Sequence, residues 1–191
     1  MNELKKYISK ILHFTENEME VFVSLFSEKE FEKNEYFATA GEYSNKLGFL
    51  TDGVMRAFFC NSDGNEYTKT FFTNFNFVAA YSSMVTNQKN LINIQSITKS
   101  KVFVADFKKI VSLYNDYPKI ESLGRIFAEQ KFTIKEKREI ELVTLNATER
   151  YQIFRKEHKG LENLIPQYHI ASYLGITPTQ LSRIRGKASS I

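Results

Sequence analysis

The stretch from Ile165 to Arg185 constrains this 191-residue chain more than any other. It reads Ile-Pro-Gln-Tyr-His-Ile-Ala-Ser-Tyr-Leu-Gly-Ile-Thr-Pro-Thr-Gln-Leu-Ser-Arg-Ile-Arg, and its punctuation predicts two short helices joined by a turn of about three residues. Pro166 suits a helix start, and Gly175 suits an exit through the left-handed region. Thr177 followed three residues later by Gln180 is a capping box, with Pro178 at the first helical position, so a second helix is expected to begin at Pro178.

The apolar spacing fits that reading. Ile170, Leu174, Ile176, Leu181 and Ile184 fall where two crossing helices would face each other, and Ala171 is small where the axes must approach. The opposite side stays polar, with Thr179, Gln180, Ser182 and Arg183, side chains able to meet base edges in a major groove. A plain helical hairpin would need a turn glycine and apolar spacing too. It would not need the capping box together with a polar outer face.

Charge supports the same end of the chain. Residues 1–116 hold 13 Lys+Arg against 14 Asp+Glu, residues 117–146 hold 6 against 5, and residues 147–191 hold 7 against 3. The net increments are −1, +1 and +4, so the basic excess lies where a polyanion would have to be approached.

Upstream the apolar period changes twice. Asn2–His13 and Glu16–Phe26 have helical spacing, with Thr15 as a cap between them. From Phe31 to Phe107 the chain is rich in Phe, Tyr, Val, Ile and Thr and is broken by Gly41, Gly48, Gly53 and the Asp63-Gly64 dipeptide, an antiparallel pattern with a hairpin turn. Strands are expected on either side of the Gly53 turn within 47–59, at 66–72, and as a final pair at 91–97 and 101–107, with a helical turn near Tyr81. The expected class is α+β: an antiparallel β roll of jelly-roll type with flanking helices, closed to remove open edges. After Phe107 come a short helix over 108–114 and a long one over about 119–143. Along the long helix Ile120, Leu123, Phe127 and Ile134 form a heptad-like stripe that wants a partner, either the roll or the same helix of a second subunit.

These parts, with Ala40-Gly-Glu42 leading to Leu47-Gly-Phe-Leu-Thr-Asp-Gly53 and the ending Leu181-Ser-Arg-Ile-Arg185, resemble the Crp/Fnr family of bacterial transcription regulators over essentially the whole chain. The resemblance implies a cyclic-nucleotide-binding-like sensor domain at 1–116, a dimerisation helix and hinge at 117–145, and a helix-turn-helix domain at 146–191. It implies a homodimer, with double-stranded DNA and RNA polymerase as partners. By it, Arg183 occupies a base-reading position with Thr179 and Ser182 beside it, and Thr177, Gln180, Arg185 and Lys187 complete the DNA-contacting set.

The ligand site departs from the family pattern. Cyclic AMP binders of this type carry a Phe-Gly-Glu segment and, some ten residues on, an arginine that pairs with the phosphate. The matching stretches here read Phe77-Val-Ala-Ala-Tyr-Ser-Ser-Met84 and Asn90-Leu-Ile-Asn-Ile94, without that glutamate or arginine. A buried cyclic phosphate would lack its charge-assisted pair, so cyclic nucleotide binding by that route is not expected, unless Lys89 or Arg56 stands in. Arg56, Tyr81, Ser82, Ser83 and Asn93 are the candidate lining of a pocket for some other ligand, or simply fill the roll.

No cofactor is expected. The single cysteine, Cys60, rules out an internal disulfide and a four-cysteine cluster, and in a strand it reads as a small buried hydrophobe. His13, His158 and His169 all lie outside 31–107, so the roll has no histidine-ligated metal site, and no nucleophile motif or phosphate-cradling loop points to an enzyme. His169 is expected at the surface, near phosphates. No run approaches the roughly 20 apolar residues of a membrane span, and the opening Met-Asn-Glu-Leu-Lys-Lys is no hydrophobic leader, so a soluble cytoplasmic protein is expected. The alternative to a DNA-binding regulator is a small-molecule sensor or interaction module that does not act through DNA.

Overall fold

A computed structural model describes residues 1–188. Two helices open the chain, α1 (Asn2–Ser9) and α2 (Glu16–Ser24). The Thr15 hydroxyl accepts from the Glu18 N–H at 3.3 Å while the Glu18 carboxylate accepts from the Thr15 N–H at 2.6 Å, so the cap expected there is a full capping box. Helix α1 ends at Ser9, short of the His13 expected from spacing. The chain turns at Lys10–Leu12, which brings buried Phe14 onto Phe22, ring centroids 6.2 Å apart.

Eight strands follow in two four-stranded antiparallel sheets. One has the order β1 (Ser27–Phe31), β8 (Ser100–Asp106), β3 (Lys46–Asp52), β6 (Asn76–Ala79); the other has β2 (Tyr36–Ala38), β7 (Asn93–Ser96), β4 (Met55–Cys60), β5 (Glu66–Phe72). Strand β1 precedes the expected start of the β region at Phe31. Its first four residues are exposed and mostly charged, as suits an edge strand, and it is held by pairing with β8. The β4–β5 hairpin turns at the expected Asp63-Gly64, where the Asn61 side-chain oxygen accepts from the N–H groups of Asp63 and Asn65. Strands β7 and β8, expected as a pair with each other, instead lie in opposite sheets. The β3–β4 and β7–β8 crossings run side by side: the Ile97 N–H donates to the Val54 carbonyl, and the Val54 N–H donates to the Thr98 hydroxyl. Gly53, at φ +100°, lies where a Cβ would come within 2.5 Å of the Lys99 carbonyl, so only glycine fits.

Between the sheets pack Phe31, Phe37, Leu50, Met55, Phe72, Ile94 and Val102. The outer face of the first sheet, with Phe49 and Phe103, is covered by α1, α2 and the start of α5 (Pro118–Thr144), which follows the short α4 (Phe107–Val111). The outer face of the second sheet, with Val54, Phe71 and Ile97, is covered by the C-terminal helices.

The stripe on α5 divides. Ile120 and Leu123 are 1% and 2% exposed inside the chain's own core, and Phe127 packs on Phe77 at 4.6 Å and Tyr7 at 6.1 Å. Ile120 and Leu123 are thus not available to a second chain, while Phe127 is half-buried. Ile134 is 59% exposed on the side of the stripe, while Phe132 at 67% and Val143 at 87% are exposed on the opposite side, among the charged residues of the C-terminal half of the helix.

Candidate nucleic-acid interface

The C-terminal head comprises α6 (Ala147–Glu157), a 3-10 turn (Leu161–Asn163), α7 (Gln167–Leu174) and α8 (Pro178–Ala188). Asn146 starts α6: its side-chain oxygen accepts from the N–H groups of Thr148 and Glu149, and the Glu149 carboxylate accepts from the Asn146 N–H at 2.8 Å. At the end of α7, Gly175 takes φ +68°, and the Ile176 N–H donates back to the Ala171 carbonyl at 3.0 Å. Two residues later Thr177 and Gln180 form the expected capping box, at 3.2 and 2.9 Å. Ile170, Ala171, Leu174 and Leu181 are buried together, with Ile176 and Ile184 against them, so α7 and α8 form one unit.

The outer face of α8 carries Thr179, Ser182, Arg183 and Lys187, all exposed and spaced i, i+3, i+4 and i+8, which places them on one stripe. Arg183 can offer its planar fork outward, the geometry suited to a guanine edge. Thr177 and Gln180 are exposed, but their side-chain oxygens serve the cap, which leaves the Gln180 amide nitrogen for outside contact. Arg185 is half-buried and engages the Tyr151 phenol, at one side of the stripe.

The candidate ligand residues differ in exposure and in partners. Arg56 is 3% exposed, with its guanidinium 2.7 Å from the Glu66 carboxylate, donating to Gln95 at 3.1 Å, and 3.8 Å from the Phe58 ring centroid. The Ser83 hydroxyl accepts from the Ser44 N–H and donates to the Gln88 carbonyl, and the Asn93 side-chain oxygen accepts from the Ala40 N–H, so both brace loops. Tyr81 and Ser82 are exposed on the short helix α3 (Tyr81–Thr86). A cleft of about 640 Å³ does open between roll and head, lined in part by Val54, Thr73, Lys99, Lys156 and Leu161, and none of those five candidates lines it.

Two sequence expectations are overturned at this end. His169 is only 5% exposed, and burial, aided by the Arg56 charge and opposed by Glu66, pushes its pKa down to about 4. It belongs to the seam between head and roll and is not a surface group. Cys60 is exposed because β4 ends there, beyond the packed part of the hairpin.

The seam has residues that no short motif announced. The Ser172 hydroxyl accepts from the Thr68 N–H at 2.8 Å and donates to the Glu66 carbonyl at 2.7 Å. From α5, Arg138 donates to the Tyr173 carbonyl and lies 4.0 Å from that ring's centroid. Arg150 donates to the Leu174 carbonyl at 3.2 Å and to the Leu142 carbonyl at 3.3 Å. Among the described residues no helix is long and apolar enough to cross a membrane, and no cluster of side chains is suited to hold a metal ion.

No family model matches the sequence, and no curated protein matches it. Solved structures do share the fold. FixK2 from Bradyrhizobium japonicum superposes with a TM-score of 0.76 at 16% identity, covering 86% of this chain and 85% of that one. CLP from Xanthomonas campestris, a c-di-GMP responsive global regulator, gives 0.70 at 12% identity over 92% of both chains. A transcriptional regulator of the Crp/Fnr family from Eubacterium rectale gives 0.70 at 12% identity, covering 90% of this chain and 82% of that one. The chain therefore shares the fold of a Crp/Fnr-family regulator over about nine tenths of its length.

Proposed function

We propose that this protein is a sequence-specific DNA-binding transcription regulator of the Crp/Fnr type that works as a homodimer. The observation that carries the reading is the capped α8 with Thr179, Ser182, Arg183 and Lys187 on one exposed stripe. Such a helix enters a major groove with Arg183 and its neighbours at base edges, while Lys187 meets phosphates. One head makes few base contacts. Pairing through the exposed side of α5 that carries Phe132, Ile140 and Val143, opposite Ile134 on the helix, would set two reading helices on successive turns of the duplex.

The domain limits we assign are 1–116 for the sensor, 117–145 for the dimerisation helix and hinge, and 146–191 for the DNA-binding unit; residues 189–191 of the last lie outside the described structure. RNA polymerase is the partner such a regulator implies. A small-molecule effector is compatible with the fold, since CLP, which shares it, is c-di-GMP responsive. The internal hydrogen bonds of Ser83 and Asn93 and the pairing of Arg56 with Glu66 favour an effector other than a cyclic nucleotide bound through a glutamate and an arginine.

The test is fluorescence anisotropy against genomic upstream fragments over a salt series. The wild type is expected to select a subset of fragments, and Arg183→Ala to lose about 1–3 kcal/mol on those while binding bulk DNA as before. An Arg183→Ala protein that binds the selected fragments as tightly as wild type refutes the assigned reading face. Absence of any selectivity in the wild type favours a sensor module that does not act through DNA.

A further inference from the structure

Helix α7 is gripped from three sides, and each grip is polar and directional. Strand β5 is the terminal strand of its sheet. A terminal strand leaves a row of N–H and C=O groups that a further strand would pair. The Glu66 carbonyl and the Thr68 N–H are two such groups facing the same way, and the Ser172 hydroxyl satisfies both. One side chain of α7 thus takes the place of the missing strand. In the same last turn of α7, Arg138 holds the Tyr173 carbonyl from α5, and Arg150 holds the Leu174 carbonyl while reaching back to the end of α5.

Because α7 and α8 share a core through Leu174 and Leu181, whatever fixes α7 fixes the reading helix. We propose that Ser172 and Arg138 are positioning residues that set the angle of α8 relative to the roll and the long helix, making α7 the route by which a change in the sensor reaches DNA. The inference rests on the DNA-reading assignment of α8. The docked seam is finely balanced. Phe71 packs on Tyr173 at 5.3 Å and on Phe154 at 6.1 Å in its favour. Against it, Arg56 Nε, Thr68 Oγ1, Gln167 Oε1 and His169 Nδ1 are buried with no hydrogen-bonding protein group among the described residues. A seam with those costs depends on the few polar bonds it does complete.

The test is a spin-label distance measurement on the full chain, diluted into unlabelled protein so that only distances within one chain are read. One label sits on the native, exposed Cys60 of β4, the other on Asn163→Cys in the exposed turn before α7. The wild-type background should give one narrow distance distribution. Ser172→Ala and Arg138→Gln should each broaden it, and Ser172→Thr, which keeps the hydroxyl, should restore it. In parallel, Ser172→Ala should bind selected DNA about five-fold more weakly, with bulk DNA binding unchanged, the size expected from one lost pair of hydrogen bonds. Loss of fold is separated from loss of position by the far-ultraviolet spectrum and by the Ser172→Thr rescue. A distribution unchanged in both variants overturns the proposal. Broadening in a protein that shows no DNA selectivity upholds the positioning role and refutes the DNA reading instead.

Discussion

His169 offers a quantitative test of the packed seam. An ordinary histidine titrates near 6.5, whereas this one is held near 4 by burial first and by the neighbouring Arg56 of β4 second, with Glu66 of β5 acting in the opposite sense. A base whose folded pKa is depressed takes up its proton in the unfolded chain first. Above about pH 6.5 the two states are equally unprotonated and the group contributes nothing to the pH dependence. As pH falls from there toward 4, the unfolded state is favoured at up to about 1.4 kcal/mol per pH unit. Between pH 7.5 and 5.0 the loss from this residue comes to about 2 kcal/mol. Other groups titrate over the same range, so the informative quantity is a difference. Urea unfolding of wild type and His169→Gln at both pH values should show the wild type losing about 2 kcal/mol more than the variant on acidification. Equal losses would mean that His169 is hydrated in the native protein and that the head does not seal against the roll.

Three further outcomes follow from particular contacts. Phe154→Ala, which empties the centre of the head's core against Phe71 and Tyr173, should cost about 3–5 kcal/mol of unfolding free energy by denaturant titration. Gly53→Ala should destabilise by clearly more than Gly64→Ala: both positions have positive φ, but a Cβ at 53 meets the Lys99 backbone and one at 64 meets open space, so the second change costs only about 1 kcal/mol. The double change Phe132→Glu and Val143→Glu should convert a dimer to monomer in sedimentation equilibrium, while Ile120→Glu should instead unfold the sensor core.

What was legible in the sequence was local. The capping pairs Thr15–Glu18 and Thr177–Gln180, the Gly175 exit and the Asp63-Gly64 turn each depend on residues within a few positions of one another, and each lies where spacing put it. The Asn146–Glu149 box is equally local, yet the helix it starts, α6, was not expected from the sequence. What escaped was long-range. A heptad-like stripe looks the same whether it meets a roll or a second helix, so Ile120, Leu123 and Phe127 could not be sorted from Ile134 by period. The division of β7 and β8 between two sheets is decided by partners more than forty residues away, at Val54. The edge strand β1 carries too many charges to show a strand pattern. His169 and Ser172 look like ordinary helix polar residues until β5 is packed against them. The reading stripe on α8 was accessible from sequence because a helix period alone defines it; the seam that orients the stripe was not.

Two copies of α8 reading DNA together is the central claim. Its most direct test is selection of bound duplexes from a random pool by the purified protein, followed by sequencing. The expected result is enrichment of an inverted repeat whose half-sites lie about one helical turn, some 10 base pairs, apart, with the preference lost in Arg183→Ala. A pool that stays random after repeated selection, or that is enriched equally by Arg183→Ala, would contradict it.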